Sequence, residues 1–213
     1  MSVLFKHQYA DCLIGVWKID EYEEDLLVTL PEECRENIAT FKNATRRKEY
    51  LAVRRLLIEM LGGYTKVDYS PNGKPLISNG YISISHTKGY ASVIYSASYD
   101  VGIDIEYVSD RVNKIRSYFL NPNEEELFND TPSSLIAWCA KETLFKMINN
   151  EGLSVDLKSD LHLTAFDDTQ IEVYETATKD QHSYTLSYKL TDTFALVWGV
   201  NKPLCNCLTI KDH

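Results

Sequence analysis

The chain has no apolar run approaching the ~18 residues that a membrane-spanning helix needs. The first nine residues hold no apolar core of the secretory kind, so the reading at this level is a cytoplasmic protein. A basic surface is also missing: 22 Lys and Arg face 31 Asp and Glu, a formal net charge of -9. That balance argues against general nucleic-acid binding, which needs a basic footprint. No G-x-x-x-x-G-K-[ST] loop occurs, which removes the usual nucleoside-triphosphate cradle. The five cysteines, at 12, 34, 139, 205 and 207, are odd in number and scattered, as in a reduced compartment. Cys205-x-Cys207 lacks a second Cys/His pair at zinc spacing and reads as plain tail.

What remains is ordinary for a globular protein: 213 residues, 44% hydrophobic and 25% charged, enough to bury a core. Leu13–Ile19 reads as a strand. Residues 31–61 read as helical and end at Gly62-Gly63. Residues 71–75 form a turn cluster. Tyr81–Ser85 and Tyr90–Ser96 read as strands joined through a loop at 86–89, and Asp100–Val108 as a third. A helix carrying Trp138–Ile148 starts after a break at Thr131-Pro132, with Ser133 or Ser134 as its cap. Four more strands follow, near 161–166, 170–176, 184–189 and 193–200. Helix, turn and closing hairpin occur in residues 46–96 and again in 133–200. The expectation is an α+β fold in two similar halves, 1–98 and 99–213, with no Pro/Ser-rich linker between them.

Two acidic motifs stand out. In Val101-Gly102-Ile103-Asp104-Ile105-Glu106, strand alternation sends Val101, Ile103 and Ile105 to one face. Gly102, Asp104 and Glu106 share the other, and Gly102 leaves the backbone there open to a ligand. Two carboxylates at i and i+2 repel unless a cation lies between them, and Mg²⁺ is held by one or two carboxylates plus waters and phosphate oxygens. The bland alternative is a wet acidic strand face. In Trp138–Lys146, Glu142 and Lys146 are i, i+4 neighbours on a helix, with Trp138 and Phe145 placed to pack it against a sheet. The bland alternative here is a surface ion pair. Lys141, next to Glu142, points about 100° away and is the weaker candidate. Residues 35–55 carry seven basic and two acidic side chains, a local positive stretch able to anchor a polyanion or an acidic partner. Lys74 rides a Gly-Pro turn, and His86 sits between Ser85 and Thr87.

GKP (73–75), ISHT (84–87), VGIDIE (101–106), FLNPNE (119–124) and WCAKETLFK (138–146), in that order, resemble the phosphopantetheinyl transferases of the surfactin-synthetase-activating type. The interval from Asp104 to Trp138 is shorter than usual in that family, and Thr143 stands where Ser or Ala is usual. The resemblance implies a pseudo-twofold monomer with coenzyme A as co-substrate in the cleft between the halves. The 4′-phosphopantetheine group would pass to a serine of an apo acyl or peptidyl carrier protein. Asp104, Glu106 and Glu142 match the metal carboxylates for Mg²⁺ or Mn²⁺, and Glu142 and Lys146 the catalytic pair. Arg47 (or Arg46), Arg54, Lys74, Ser85, His86, Asp104 and Lys146 match coenzyme A-binding positions. Glu124 matches an acidic position near the active site. The carrier would dock on the basic stretch 42–55 or on a patch between Tyr107 and Phe128. The alternative is a non-catalytic relative that binds coenzyme A or a carrier. No nucleic acid and no membrane are implied.

Overall fold

Residues 3–9, 11–149 and 153–202 are described by the structure, a computed structural model. The first half of the chain runs through strands β1 (Val3–Tyr9) and β2 (Cys12–Lys18) and helices α1 (Glu23–Leu27), α2 (Glu32–Ala39) and α3 (Ala44–Leu61). The short strands β3 (Asp68–Tyr69) and β4 (Pro75–Leu76) then precede β5 (Tyr81–Thr87) and β6 (Tyr90–Ser96). The second half holds β7 (Asp100–Tyr107), α4 (Arg111–Phe119), α5 (Pro122–Leu127), α6 (Thr131–Ile148), β8 (Leu161–Phe166), β9 (Gln170–Glu175), β10 (Ser183–Leu190) and β11 (Phe194–Asn201). Two antiparallel sheets result, ordered β1-β2-β6-β5 and β7-β11-β10-β9-β8, beside a β3-β4 pair. The Cys205-x-Cys207 pair lies outside the described residues.

Strand alternation explains how the layers stack. On β2, β6, β7 and β11, one set of side chains (Ile14, Ile94, Val101, Ile103, Ile105 and Leu196 among them) builds a buried core between the two sheets. The opposite set is covered by a helix: α3 supplies Leu51, Leu56 and Leu57 against the first sheet. α6 supplies Ala140, Leu144 and Met147 against Leu186, Ala195 and Val197 of the second. The order is therefore helix, sheet, sheet, helix.

Both long helices have clear starts and stops. The Asn43 side chain accepts from Thr45 N and Arg46 N at the start of α3, satisfying backbone donors that the helix itself leaves free. Gly62, at φ +79°, ends it, a left-handed position that costs glycine little. α6 differs from the sequence expectation. Thr131-Pro132 opens the helix instead of breaking it, since proline lacks only an N–H that the first turn would waste. Asp130 is the cap, accepting from Ser133 N at 2.7 Å, with Ser133 Oγ returning to Asp130 N.

The loop expected at 86–89 is also shorter. His86 and Thr87 belong to β5, paired with Ala91 and Tyr90, and the turn is Lys88-Gly89 alone. Helices α1, α4 and α5 and strands β1, β3 and β4 were not foreseen.

Candidate active site

The acidic strand is an edge strand of the second sheet, yet it is not wet. Asp104 is 5% exposed. Two elements cover its face. From one side comes α6: a Cβ on Gly102 would lie 2.3 Å from the Thr143 carbonyl oxygen. Glycine is required there by the helix backbone, and not to admit a ligand as the sequence reading held. That close approach brings Lys146 Nζ to Asp104 Oδ1 at 2.7 Å and to the Ile103 carbonyl oxygen at 3.0 Å. Trp138 meets Phe119 of α4 edge to face, so it packs α6 on a helix where a sheet was expected.

From the other side comes β5, the edge strand of the first sheet. It runs beside β7 and is joined to it by side-chain hydroxyls. Ser83 Oγ accepts from Ile103 N. Ser85 Oγ donates to Asp104 Oδ1 at 2.7 Å. Thr87 Oγ1 donates to Glu106 Oε2 at 2.9 Å and accepts from Tyr107 N. Ser85, expected at a coenzyme A-binding position, gives its hydroxyl proton to Asp104 here.

The three carboxylates feel one another. Burial pushes the Glu106 carboxyl above its ordinary value, and the charge of Asp104 adds to the rise. Glu142 is raised likewise, by burial first, then by Asp104, while Lys146 opposes the shift and Glu106 adds to it. Asp104 Oδ2 is buried with no hydrogen-bond partner. An orphaned carboxylate oxygen in this setting is costly, and a divalent cation is the species that would satisfy it. Among the described residues no three His, Cys, Asp or Glu side chains form a ready-made cage. Mg²⁺ does not need one, since it keeps several waters and takes substrate phosphate oxygens. The donor set fits such an ion.

A groove leads away from Lys146 into the first half. One lobe, of about 210 Å³, is lined by Lys74, Ile84, Phe145 and Lys146. The next, of about 170 Å³, is lined by Arg46, Arg54, Tyr69 and His86. Gly73, Pro75 and Ile84 line both lobes, so the two adjoin. Arg54 is 4% exposed and lies over the Tyr50 ring at 3.7 Å. Lys74 pairs with Asp100 at 2.6 Å, both partly buried.

His86 is held below its ordinary value by burial, partly offset by Glu49, with Arg46 and Lys146 lowering it further. Its Nε2 faces Arg46 Nη1 and its Nδ1 faces Glu49 Oε2 at 3.4 Å. Because arginine can only donate, Nε2 is the acceptor and Nδ1 carries the proton.

Of the residues named from the sequence, Arg54, Lys74, His86 and Lys146 line these two lobes. Arg47 is a correction. It binds Glu23 at 2.7 Å and the Phe41 carbonyl oxygen, fastening α3 to α1. Arg46, one position earlier and about 100° round the helix, lines the groove in its place. Glu124 and Lys141 also prove structural. Lys141 is fully buried and donates to Glu124 Oε2 and to the Phe119 and Leu157 carbonyl oxygens. Glu124 further accepts from Leu163 N and Asn121 N. Every donor of that ammonium is used, which ties α6 to α4, α5 and the loop before β8. Asp100 was missed, although its place at i−4 from Asp104 on the same strand face was a signal.

Residues 100–198 match the family described as the 4′-phosphopantetheinyl transferase superfamily. The chain is 28% identical to the 4′-phosphopantetheinyl transferase HetI of Nostoc sp. (strain PCC 7120 / SAG 25.82 / UTEX 2576), over a 160-residue alignment covering 62% of this chain and 67% of that protein. The matched segment holds β7 and α6, hence all three carboxylates and Lys146, so the likeness to the 4′-phosphopantetheinyl transferase superfamily falls on the candidate site.

Proposed function

We propose that the protein moves 4′-phosphopantetheine from coenzyme A to a serine hydroxyl of an apo acyl or peptidyl carrier protein, releasing adenosine 3′,5′-bisphosphate. The observation that carries this reading is the buried, unpartnered Asp104 Oδ2, set among Lys146, Glu106 and Glu142 at the mouth of a basic groove. Coenzyme A has the matching charge distribution, with a 3′-phosphate at one end of its nucleotide and a pyrophosphate at the other. Arg46, Arg54 and His86 would receive the nucleotide end, and Lys74 and Lys146 the pyrophosphate.

In the transfer, the serine oxygen bonds to the phosphorus that carries pantetheine. The P–O bond to the bridging oxygen breaks, and adenosine 3′,5′-bisphosphate leaves. Glu142, directly or through a water, accepts the serine proton. Lys146, anchored to β7, stabilises the charge building on the departing phosphate. Asp104, Glu106 and Glu142 would hold Mg²⁺ or Mn²⁺, which when bound supplies charge neutralisation at the pyrophosphate. The proposed unit is a monomer of two halves, 1–98 and 99–213, acting in the cytoplasm. No described helix is long and apolar enough to cross a membrane.

Chromatographic detection of adenosine 3′,5′-bisphosphate tests the reading. Its release should require the protein, coenzyme A, Mg²⁺ and an apo carrier together. Coenzyme A consumed at the same rate without a carrier would mark a hydrolase and overturn it.

A further inference from the structure

We propose that Thr87 and Ser85 of β5 are positioning residues: their hydroxyls aim the Glu106 and Asp104 carboxylates of β7 for a divalent cation. This rests on the metal reading given above and goes beyond it, because these side chains belong to the other sheet.

The hydrogen-bond directions fix the roles. The Thr87 hydroxyl accepts from Tyr107 N, so its single proton is left for Glu106 Oε2, at 2.9 Å. Ser85, 8% exposed, gives its proton to Asp104 Oδ1. Each hydroxyl therefore occupies one oxygen of its carboxylate, and on Asp104 the other oxygen, Oδ2, is buried without a partner. A carboxylate fixed through one oxygen presents the second in a defined direction, which is how outer hydrogen bonds orient metal ligands. Ser83 is the built-in contrast. It lies on the same strand and the same face, yet bonds only the backbone N–H of Ile103. If the hydroxyls served only to hold two sheets together, all three would behave alike.

The test is Mn²⁺ uptake by the full chain with coenzyme A present and no carrier, read from the paramagnetic resonance signal of free Mn²⁺. Thr87→Val should weaken Mn²⁺ binding about tenfold, the lower end of the usual effect of such partners. Thr87→Ser should restore it to within about twofold, and Ser85→Ala should act like Thr87→Val. Ser83→Ala should leave Mn²⁺ affinity unchanged while lowering the melting temperature. Thermal unfolding accompanies each variant, and Thr87→Ala is read instead if valine at 87 prevents folding. A folded Thr87 variant that binds Mn²⁺ as tightly as the wild type overturns the positioning role alone. Wild type that transfers phosphopantetheine yet takes up no Mn²⁺ overturns the positioning role with the metal reading and leaves the transferase reading standing.

Discussion

Single side chains in this site are held against their own preferences. Glu142 is half-buried beside two other carboxylates. Its proton affinity is raised above the ordinary value of 4.5 by burial and then by Asp104, so the fold favours the protonated form. Stability linked to this group is fully present below the ordinary carboxylate range and is lost as the pH rises through the raised value. Glu142→Gln stays neutral throughout. It should therefore melt higher than the wild type at pH 7 without metal, by an amount of the order of 1 kcal/mol. The gain should disappear near pH 4, and transfer should be abolished. A variant less stable at pH 7 would show that the three charges do not strain the fold. Lys141 is the opposite case. Lys141→Met strands Glu124 in the interior and should cost about 3–5 kcal/mol in urea unfolding, with Lys141→Met/Glu124→Gln recovering much of the loss. At this scale the sequence was legible where a period decided the matter. Asp104 and Glu106 share a strand face, and Glu142 and Lys146 lie one helical turn apart. It was illegible where rotation about a helix axis decided, which is why Arg47 was chosen over Arg46. It was equally silent on what a buried polar side chain would touch, as with Ser85 and Glu124.

Two elements, β7 and α6, make the site by approaching unusually closely. The point of approach is Gly102, where a methyl group would meet the backbone oxygen of Thr143. A helix backbone cannot yield as a side chain can. Gly102→Ala should force α6 outward, costing about 1–3 kcal/mol and slowing transfer on the order of 100-fold, as misplacement by an ångström does. Gly199→Ala provides the comparison. A methyl there meets side-chain atoms of Leu186 and Met147, which can move, so both losses should be smaller. Equal effects of the two substitutions on turnover would contradict the role given to the β7–α6 contact. The sequence predicts both elements and the final four strands well, because their apolar patterns are long and regular. The short α1 and α4 and the two-residue Lys88-Gly89 turn escaped it, because few residues carried each signal. Pro132 was read as a breaker when position alone made it a starter.

Across the whole molecule, β5 and β7 run side by side where the two sheets adjoin, and the candidate site sits on that seam. Asp104, Glu106, Glu142 and Lys146 come from the second half, while Arg46, Arg54, Lys74 and His86 come from the first. Neither half holds both the charge to be neutralised and the groups to anchor it, so activity should need the halves together. The α+β class was readable from the order of elements, whereas the back-to-back stacking of the sheets was not, since it depends on which face of each strand finds another sheet. The most direct measurement is the intact mass of an apo carrier protein after incubation with the full chain, coenzyme A and Mg²⁺, beside the same reaction with Asp104→Asn. The expected result is a gain of one phosphopantetheine group with the wild type and none with the variant. No gain across acyl and peptidyl carriers, or an equal gain with Asp104→Asn, would contradict the account.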